Sequence, residues 1–247
     1  MGADGHRLVF ECFGVVAEVR TEDEALFEAL PPGWRPSASA PSVRVAVSGD
    51  GVIEVDGETK STGGAGTLLR LGAVLRHHLA EHAVRYTFIH AGVVSAAPAA
   101  EAIVIPGSTW SGKTTLVAEL VAAGATYYSD EYAVVDPDGL IHPFAKPLSI
   151  RRGARQTLVA VADSQIATQP ARAGLILVTS YQAGARWEPR LGTPGEGAEA
   201  LLAHTVPARA RPGAALAAVS ALARGSRVLS GVRGEASAVV EMVLAGA

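Results

Sequence analysis

Residues 102–116 read AIVIPGSTWSGKTTL, and this stretch decides the fold. Ala102–Pro106 is an apolar, β-branched run, the pattern of a buried strand. TTLVAELVAAG, from Thr114, has the run of a helix, with Gly124 as its C-terminal stop. Between them, Gly107 to Thr114 fits G-x-x-x-x-G-K-[ST] in full. The residue types have a mechanical reason. Backbone N–H groups converge on phosphate oxygens only where glycine permits unusual φ/ψ and close approach. The helix that starts here directs its positive dipole end at the anion. In such a loop Lys113 reaches the β- and γ-phosphates and the Thr114 hydroxyl takes Mg²⁺. Gly107, Ser108, Thr109, Trp110, Ser111, Gly112, Lys113, Thr114 and Thr115 are therefore the expected nucleotide-binding residues, with ATP and Mg²⁺ as cofactors.

Working outward, YTFIHAGVVSA (86–96) and EAIVIPG (101–107) are apolar runs joined by APAA, which predicts a hairpin. After the helix, ATYYSDEYAVVDPDGLIHPF reads strand, turn and strand, with Asp136-Pro137-Asp138-Gly139 as the tip. AGLILVTSY (173–181) is a buried strand. Residues 195–205 and 213–224 read as helices, SRVLS as the last strand and 233–245 as the last helix. Upstream, LVFECFGVVAEVR predicts a strand or bent strand pair. Thr21 with Glu24 predicts a capping box and a helix. SVRVAVS and VIEVD are strands about a Gly49-Asp50-Gly51 turn, and 67–84 is an amphipathic helix. The expected fold class is α/β: a mixed central sheet around the phosphate loop over 86–247, with a small N-terminal α/β lobe over 1–85.

Composition narrows the function. The chain has 247 residues, 49% hydrophobic, enough for a sizeable core. Net charge is −3 with no basic tract, so no nucleic-acid partner is expected. No apolar run approaches the ~18 residues of a membrane span, so no membrane is expected. Cys12 is the only cysteine, which excludes an intrachain disulfide and suits the cytoplasm. The N-terminus lacks the basic-then-apolar pattern of a signal peptide. It begins Met-Gly, but His6 stands where myristoylation wants Ser or Thr. Of 21 basic residues only Lys60, Lys113 and Lys146 are lysines. Lys113 thus stands where a compact ammonium suits better than a planar fork.

Transfer chemistry also needs carboxylates. Asp136 ends an apolar strand, as a Mg²⁺ ligand would, but Asp-Pro-Asp-Gly is also a tight turn. Ser129-Asp130-Glu131 puts two adjacent acids inside an apolar stretch, costly unless a metal or cation pairs with them. Asp130 suits a base for a substrate hydroxyl, and Glu131 a Mg²⁺ ligand, directly or through water. His90 lies between apolar residues, where a hydrogen-bonded core histidine and a catalyst read alike. His77, His78 and His82 share one helix without a carboxylate or cysteine cluster and read as surface. His142 to Pro147 is a rigid segment leading to Arg151 and Arg152. Lys146, Arg151 and Arg152 are candidate cations for phosphate or substrate.

HAGVV (90–94), GSTWSGKTTL (107–116), YYSDEYAVVD (127–136) and HPFAKPLSIR (142–151), in this order, resemble the HPr kinase-related proteins. That family shares a fold with phosphoenolpyruvate carboxykinase. The resemblance is strong over 86–152 and looser elsewhere. It implies a kinase in which Lys113 and Thr114 serve phosphate and Mg²⁺. It further implies that Asp130 is the general base for a serine hydroxyl, Glu131 an acid near the metal, and His90 a residue beside the phosphates. Two departures stand out. The Glu-x-Arg-Gly-Leu-Gly block of the bifunctional kinase/phosphorylases is missing, which puts dephosphorylation and HPr itself in doubt. Trp110 also stands where the family prefers small residues. Divergent relatives phosphorylate small biosynthetic peptides, so the expected substrate is a serine on a peptide or protein. A kinase of a small serine-like metabolite and a non-catalytic nucleotide-binding regulator are the alternatives. Self-association into a homo-oligomer is compatible with the sequence.

Overall fold

The computed structural model describes residues 5–108, 111–152 and 155–245. They group into two units, Met1–Arg85 and Tyr86–Ala247.

The first unit is a six-stranded sheet with one long helix. Strands β1 (His6–Cys12) and β2 (Val15–Thr21) form a hairpin. Its turn residues Phe13 and Gly14 both have positive φ (48° and 79°), as a two-residue turn matched to strand twist requires. β3 (Arg35–Pro36), β4 (Val43–Val47), β5 (Ile53–Val55) and β6 (Glu58–Ser61) complete the order β3-β1-β2-β4-β5-β6. Helix α1 (Thr67–His82) buries Leu71, Leu75 and Leu79. The capping expectation near Thr21 is corrected. Thr21 still belongs to β2, and Asp23 caps a short 3₁₀ helix over Glu24–Ala29 by accepting from the Ala25 amide. The Thr21 hydroxyl accepts from the Asp23 amide instead.

The second unit is a three-layer α/β/α arrangement. Its strands are β7 (Thr87–Ser95), β8 (Ala102–Pro106), β9 (Thr126–Ser129), β10 (Tyr132–Val135), β11 (Ile141–His142), β14 (Ala173–Tyr181), β15 (Arg190–Gly192) and β16 (Arg227–Arg233). They order as β11-β10-β7-β8-β14-β16-β15, with β9 also on β7. β12 (Leu148–Arg152) and β13 (Arg155–Val159) form a separate hairpin. Helices α2 (Lys113–Ala122) and α5 (Ser237–Ala245) cover one face, where Ile103, Ile105, Leu175 and Leu177 meet Leu116, Val117, Leu120 and Val239. Helices α3 (Pro194–Leu202) and α4 (Pro212–Gly225) cover the other, where Val104 and Ile176 meet Leu201, Val219 and Leu222. Burial on both faces is why these strands read as unbroken apolar runs. Close packing sets one position outright. A Cβ on Gly92 of β7 would come within 2.5 Å of Val117 Cγ2, so glycine is what lets α2 lie this near the sheet.

The site lies at one end of this sheet. β8, β14 and β16 run parallel, so their carboxyl ends coincide, while β7 runs antiparallel to β8 with Ala91 opposite Pro106. β10 runs antiparallel to β7 with Tyr132 opposite His90. The end of β8, the end of β16, the first half of β7 and the start of β10 therefore share one edge. β10 then runs on outward, with Val135 opposite Thr87 and His142 of β11 opposite Val134, so Asp136 and His142 lie beyond this edge in the same direction.

Candidate functional site

The Gly107–Thr114 loop leaves β8 at Pro106 and enters α2 at Lys113. Gly112 is the N-cap residue, with φ +80° and no capping side chain, a conformation that glycine adopts without strain. The loop is narrow: a Cβ on Gly107 would come within 2.7 Å of Ser111 Oγ. Ser111 Oγ is itself buried without a hydrogen-bond partner. Lys113 folds back over the loop, and its Nζ donates to the carbonyls of Gly107 (2.6 Å) and Ser108 (2.7 Å). An ammonium has three donors, so one remains. Burial lowers the Lys113 pKa, and the charges of Asp130 and Glu131 act in the opposite direction. Thr114 is half-buried and Thr115 exposed on the first turn of α2. Thr109 and Trp110 lie outside the described residues.

The acid pair sits on a bend built by Ser129. Its Oγ accepts from the amides of Glu131 (3.1 Å) and Tyr132 (3.0 Å), which turns the chain between β9 and β10. Asp130 points inward, its side chain 2% exposed. The Tyr127 hydroxyl lies 3.1 Å from Asp130 Oδ1, and Lys146 Nζ lies 2.8 Å from the same oxygen. Both contacts fall on Oδ1. Burial, with the Asp130 charge adding to it, pushes the Tyr127 pKa far above its usual range. Lys146 also lies 3.6 Å from Glu131 Oε2. Phe144 anchors the segment that carries it: fully buried, it packs edge-on against Phe88 and Tyr132, and its amide donates to the Tyr128 carbonyl.

His90 joins the two halves through its backbone. Its carbonyl accepts from the Gly107 amide at 3.2 Å, and the next amide, of Ala91, donates to the Glu131 carbonyl at 3.2 Å. Its ring lies against Tyr132, centroids 4.7 Å apart. The structure thus brings His90, Gly107, Lys113, Asp130, Glu131 and Lys146 to one edge. Lys146, read from the sequence as a candidate cation for phosphate or substrate, has its ammonium on the acid pair, because the Phe144 anchor sets its segment beside Asp130. Arg151 and Arg152 are the last two residues of β12; their side chains lie outside the described residues. Asp136 is resolved as a turn residue. Its Oδ1 accepts from the amides of Asp138 and Leu140, both at 2.9 Å, and its Oδ2 meets His142 Nε2 at 2.7 Å.

Two residues near this edge escape a sequence reading. His204 follows α3, and its carbonyl accepts from the His90 amide at 2.8 Å. Burial lowers its pKa, and the Lys113 charge lowers it further. No motif surrounds it. Arg233 ends β16, is 2% exposed, and its Nη2 donates to the Gly112 carbonyl at 3.0 Å. The sequence places it at the start of the last helix, whereas the strand runs through it and α5 begins at Ser237.

A phosphate group fits this loop by the chemistry of its donors: a narrow glycine turn, an unpartnered buried hydroxyl and an ammonium held at its mouth. For Mg²⁺, Thr114 and Glu131 are the candidate protein oxygens. Among the described residues no group of three or more His, Cys, Asp and Glu could hold a metal. Few protein ligands suit Mg²⁺ shared between a substrate phosphate and water. Among the described residues no helix is long and apolar enough to cross a membrane. The chain matches no protein-family model and no curated protein.

Proposed function

We propose that this chain is an ATP- and Mg²⁺-dependent kinase that transfers the γ-phosphoryl group to a serine hydroxyl of a peptide or protein. The observation that supports the reading most is one juxtaposition. A strand–glycine loop–helix unit carrying Lys113 meets an acid pair, buried Asp130 and half-buried Glu131, across a single residue, His90, whose backbone carbonyl accepts from Gly107 and whose neighbour's amide donates to the Glu131 carbonyl. The fold reading that goes with it is the phosphoenolpyruvate carboxykinase-like one, supported by the four sequence blocks from His90 to Arg151.

Each residue has a stated part. The loop amides and Lys113 hold the β- and γ-phosphates of the ATP substrate and neutralise their charge. Thr114 and Glu131 would hold Mg²⁺, which supplies further charge neutralisation when bound. Tyr127 and Lys146 fix Asp130 through Oδ1, which leaves Oδ2 to accept the proton of the attacking serine hydroxyl. His90 and His204 flank the loop as partners of phosphate oxygens. The expected compartment is the cytoplasm.

A second reading draws on the Lys146–Asp130 ion pair. An ammonium 2.8 Å from the carboxylate occupies the group that a transferase leaves open, which favours a nucleotide-binding regulator without transfer. One experiment separates them. The protein is incubated with ATP, Mg²⁺ and peptides encoded beside its gene, and mass shifts are read. A gain of one phosphate on a serine supports the kinase. Nucleotide binding without any phosphopeptide supports the regulator, and modification of free serine alone would move the assignment to a metabolite kinase.

A further inference from the structure

We infer that Arg233 is a positioning residue of the phosphate loop, whose buried guanidinium sets the Gly112–Lys113 peptide and supplies a fixed positive charge behind the bound phosphates. The inference rests on the reading of Gly107–Thr114 as a phosphate site.

The geometry starts from the topology. β16 is parallel to β14, and Arg233 lies opposite Tyr181 at their carboxyl ends, on the edge where the loop leaves β8. A guanidinium carries five N–H donors. Here Nη2 donates to the Gly112 carbonyl at 3.0 Å and Nη1 to the Gly234 carbonyl at 3.1 Å. The plane stands over the Tyr181 ring, 5.6 Å from its centroid. Nε is buried with no acceptor. The nearby carboxylate, Glu235, accepts from the Tyr181 hydroxyl at 3.0 Å; its charge favours the Arg233 cation, but among the described residues no ion pair joins the two. A guanidinium 2% exposed without a carboxylate partner is a cost to the fold, since burying an ion outweighs what two carbonyls and a ring face return. Burial accordingly lowers its pKa. An anion in the adjacent loop is the partner that would offset this cost.

The contact also aims the loop. A trans peptide points its C=O and N–H in opposite directions. The Gly112 carbonyl accepts from Arg233 and from the Leu116 amide (3.1 Å), so it cannot rotate, and the Lys113 N–H is directed away from Arg233. Gly112 answers the same constraint, because a Cβ there would come within 2.6 Å of Arg233 Nη2. The left-handed φ of +80° favours glycine there, and a side chain would also have to displace the Arg233 guanidinium.

The test compares wild type, Arg233→Met, Arg233→Lys and Lys113→Ala. Calorimetric affinity is measured for Mg·ATP and for Mg·tripolyphosphate, and melting midpoints are taken without ligand. Arg233→Met should weaken both ligands by the same factor, about tenfold to hundredfold, the range of a charge-assisted contact. Its midpoint without ligand should stay at or above that of wild type, because a buried cation has been replaced by an apolar chain. Arg233→Lys keeps the charge but cannot bridge both carbonyls, and should lose about tenfold. Wild-type affinity in either folded variant, or a lowered midpoint with affinity intact, would overturn the inference and leave Arg233 purely structural. If Arg233→Met does not fold, Arg233→Lys decides alone. Wild type that binds neither ligand, or Lys113→Ala that binds as wild type does, sinks the phosphate-loop reading itself, and that result is independent of the Arg233 variants.

Discussion

Replacing Lys146 by methionine should destabilise the second unit through the charge it strands. Asp130 is nearly inaccessible, and Lys146 Nζ sits 2.8 Å from its Oδ1 with 15% of the lysine side chain exposed. Removing one partner of a fully buried pair costs about 3–5 kcal/mol. Two features reduce that here. Water reaches the lysine end of the pair, and the Tyr127 hydroxyl stays in place as a charge-assisted donor. The expected loss is about 2–3 kcal/mol, roughly 5–10 °C in melting midpoint for a unit of this size. Asp130→Asn alone should cost less, because Lys146 retains Glu131 at 3.6 Å. The double variant buries no unpaired charge, so its loss should fall short of the sum of the singles by more than about 1 kcal/mol. Urea unfolding followed by circular dichroism on the four proteins measures this. Additive losses, or a Lys146→Met loss below about 0.5 kcal/mol, would refute the reasoning and show that water already screens the pair.

Four further outcomes follow from the same geometry. Asp130→Asn should slow phosphoryl transfer by about 10²–10⁴ with nucleotide affinity little changed, while Glu131→Gln should raise the Mg²⁺ requirement; steady-state kinetics against ATP and Mg²⁺ separate the two. Gly92→Ala should cost about 1–3 kcal/mol by thermal unfolding, because its Cβ would meet Val117 of the helix that carries Lys113. Burial works to raise the Asp136 pKa, but the bonds from His142 and from the Leu140 and Asp138 amides outweigh it and hold the carboxyl low. Asp136→Asn should therefore be less stable than wild type above about pH 4, with the difference vanishing as pH falls through the folded-state value; urea midpoints at neutral and acid pH check the sign. Given its own phosphorylated product with Mg²⁺ and inorganic phosphate but no nucleotide, the protein should return no free serine or pyrophosphate, since the region of the missing block is the interior strand β14, with Leu175, Ile176 and Leu177 buried.

What the sequence determined by itself was whatever local periodicity and short motifs encode. The strand–loop–helix about Gly107–Thr114, the β7–β8 hairpin, the buried run 173–181 and the Asp136 turn were legible because each depends on residues close in the chain. Boundaries slipped where a side chain serves a contact outside its own segment. Thr21 reads as a helix cap, yet the sheet keeps it in β2 and Asp23 caps instead. Only the tertiary structure decided which polar groups meet. Lys146 reaches Asp130, sixteen positions before it in sequence, because Phe144 is buried beside Phe88 and Tyr132. His204 reaches the loop because its carbonyl is hydrogen-bonded to β7. Arg233, 121 residues from Gly112, comes under the loop because β8, β14 and β16 are parallel and end together. Periodicity records which way a side chain faces within its own element; which strand ends share an edge depends on pairings across the whole chain, and no local pattern carries that.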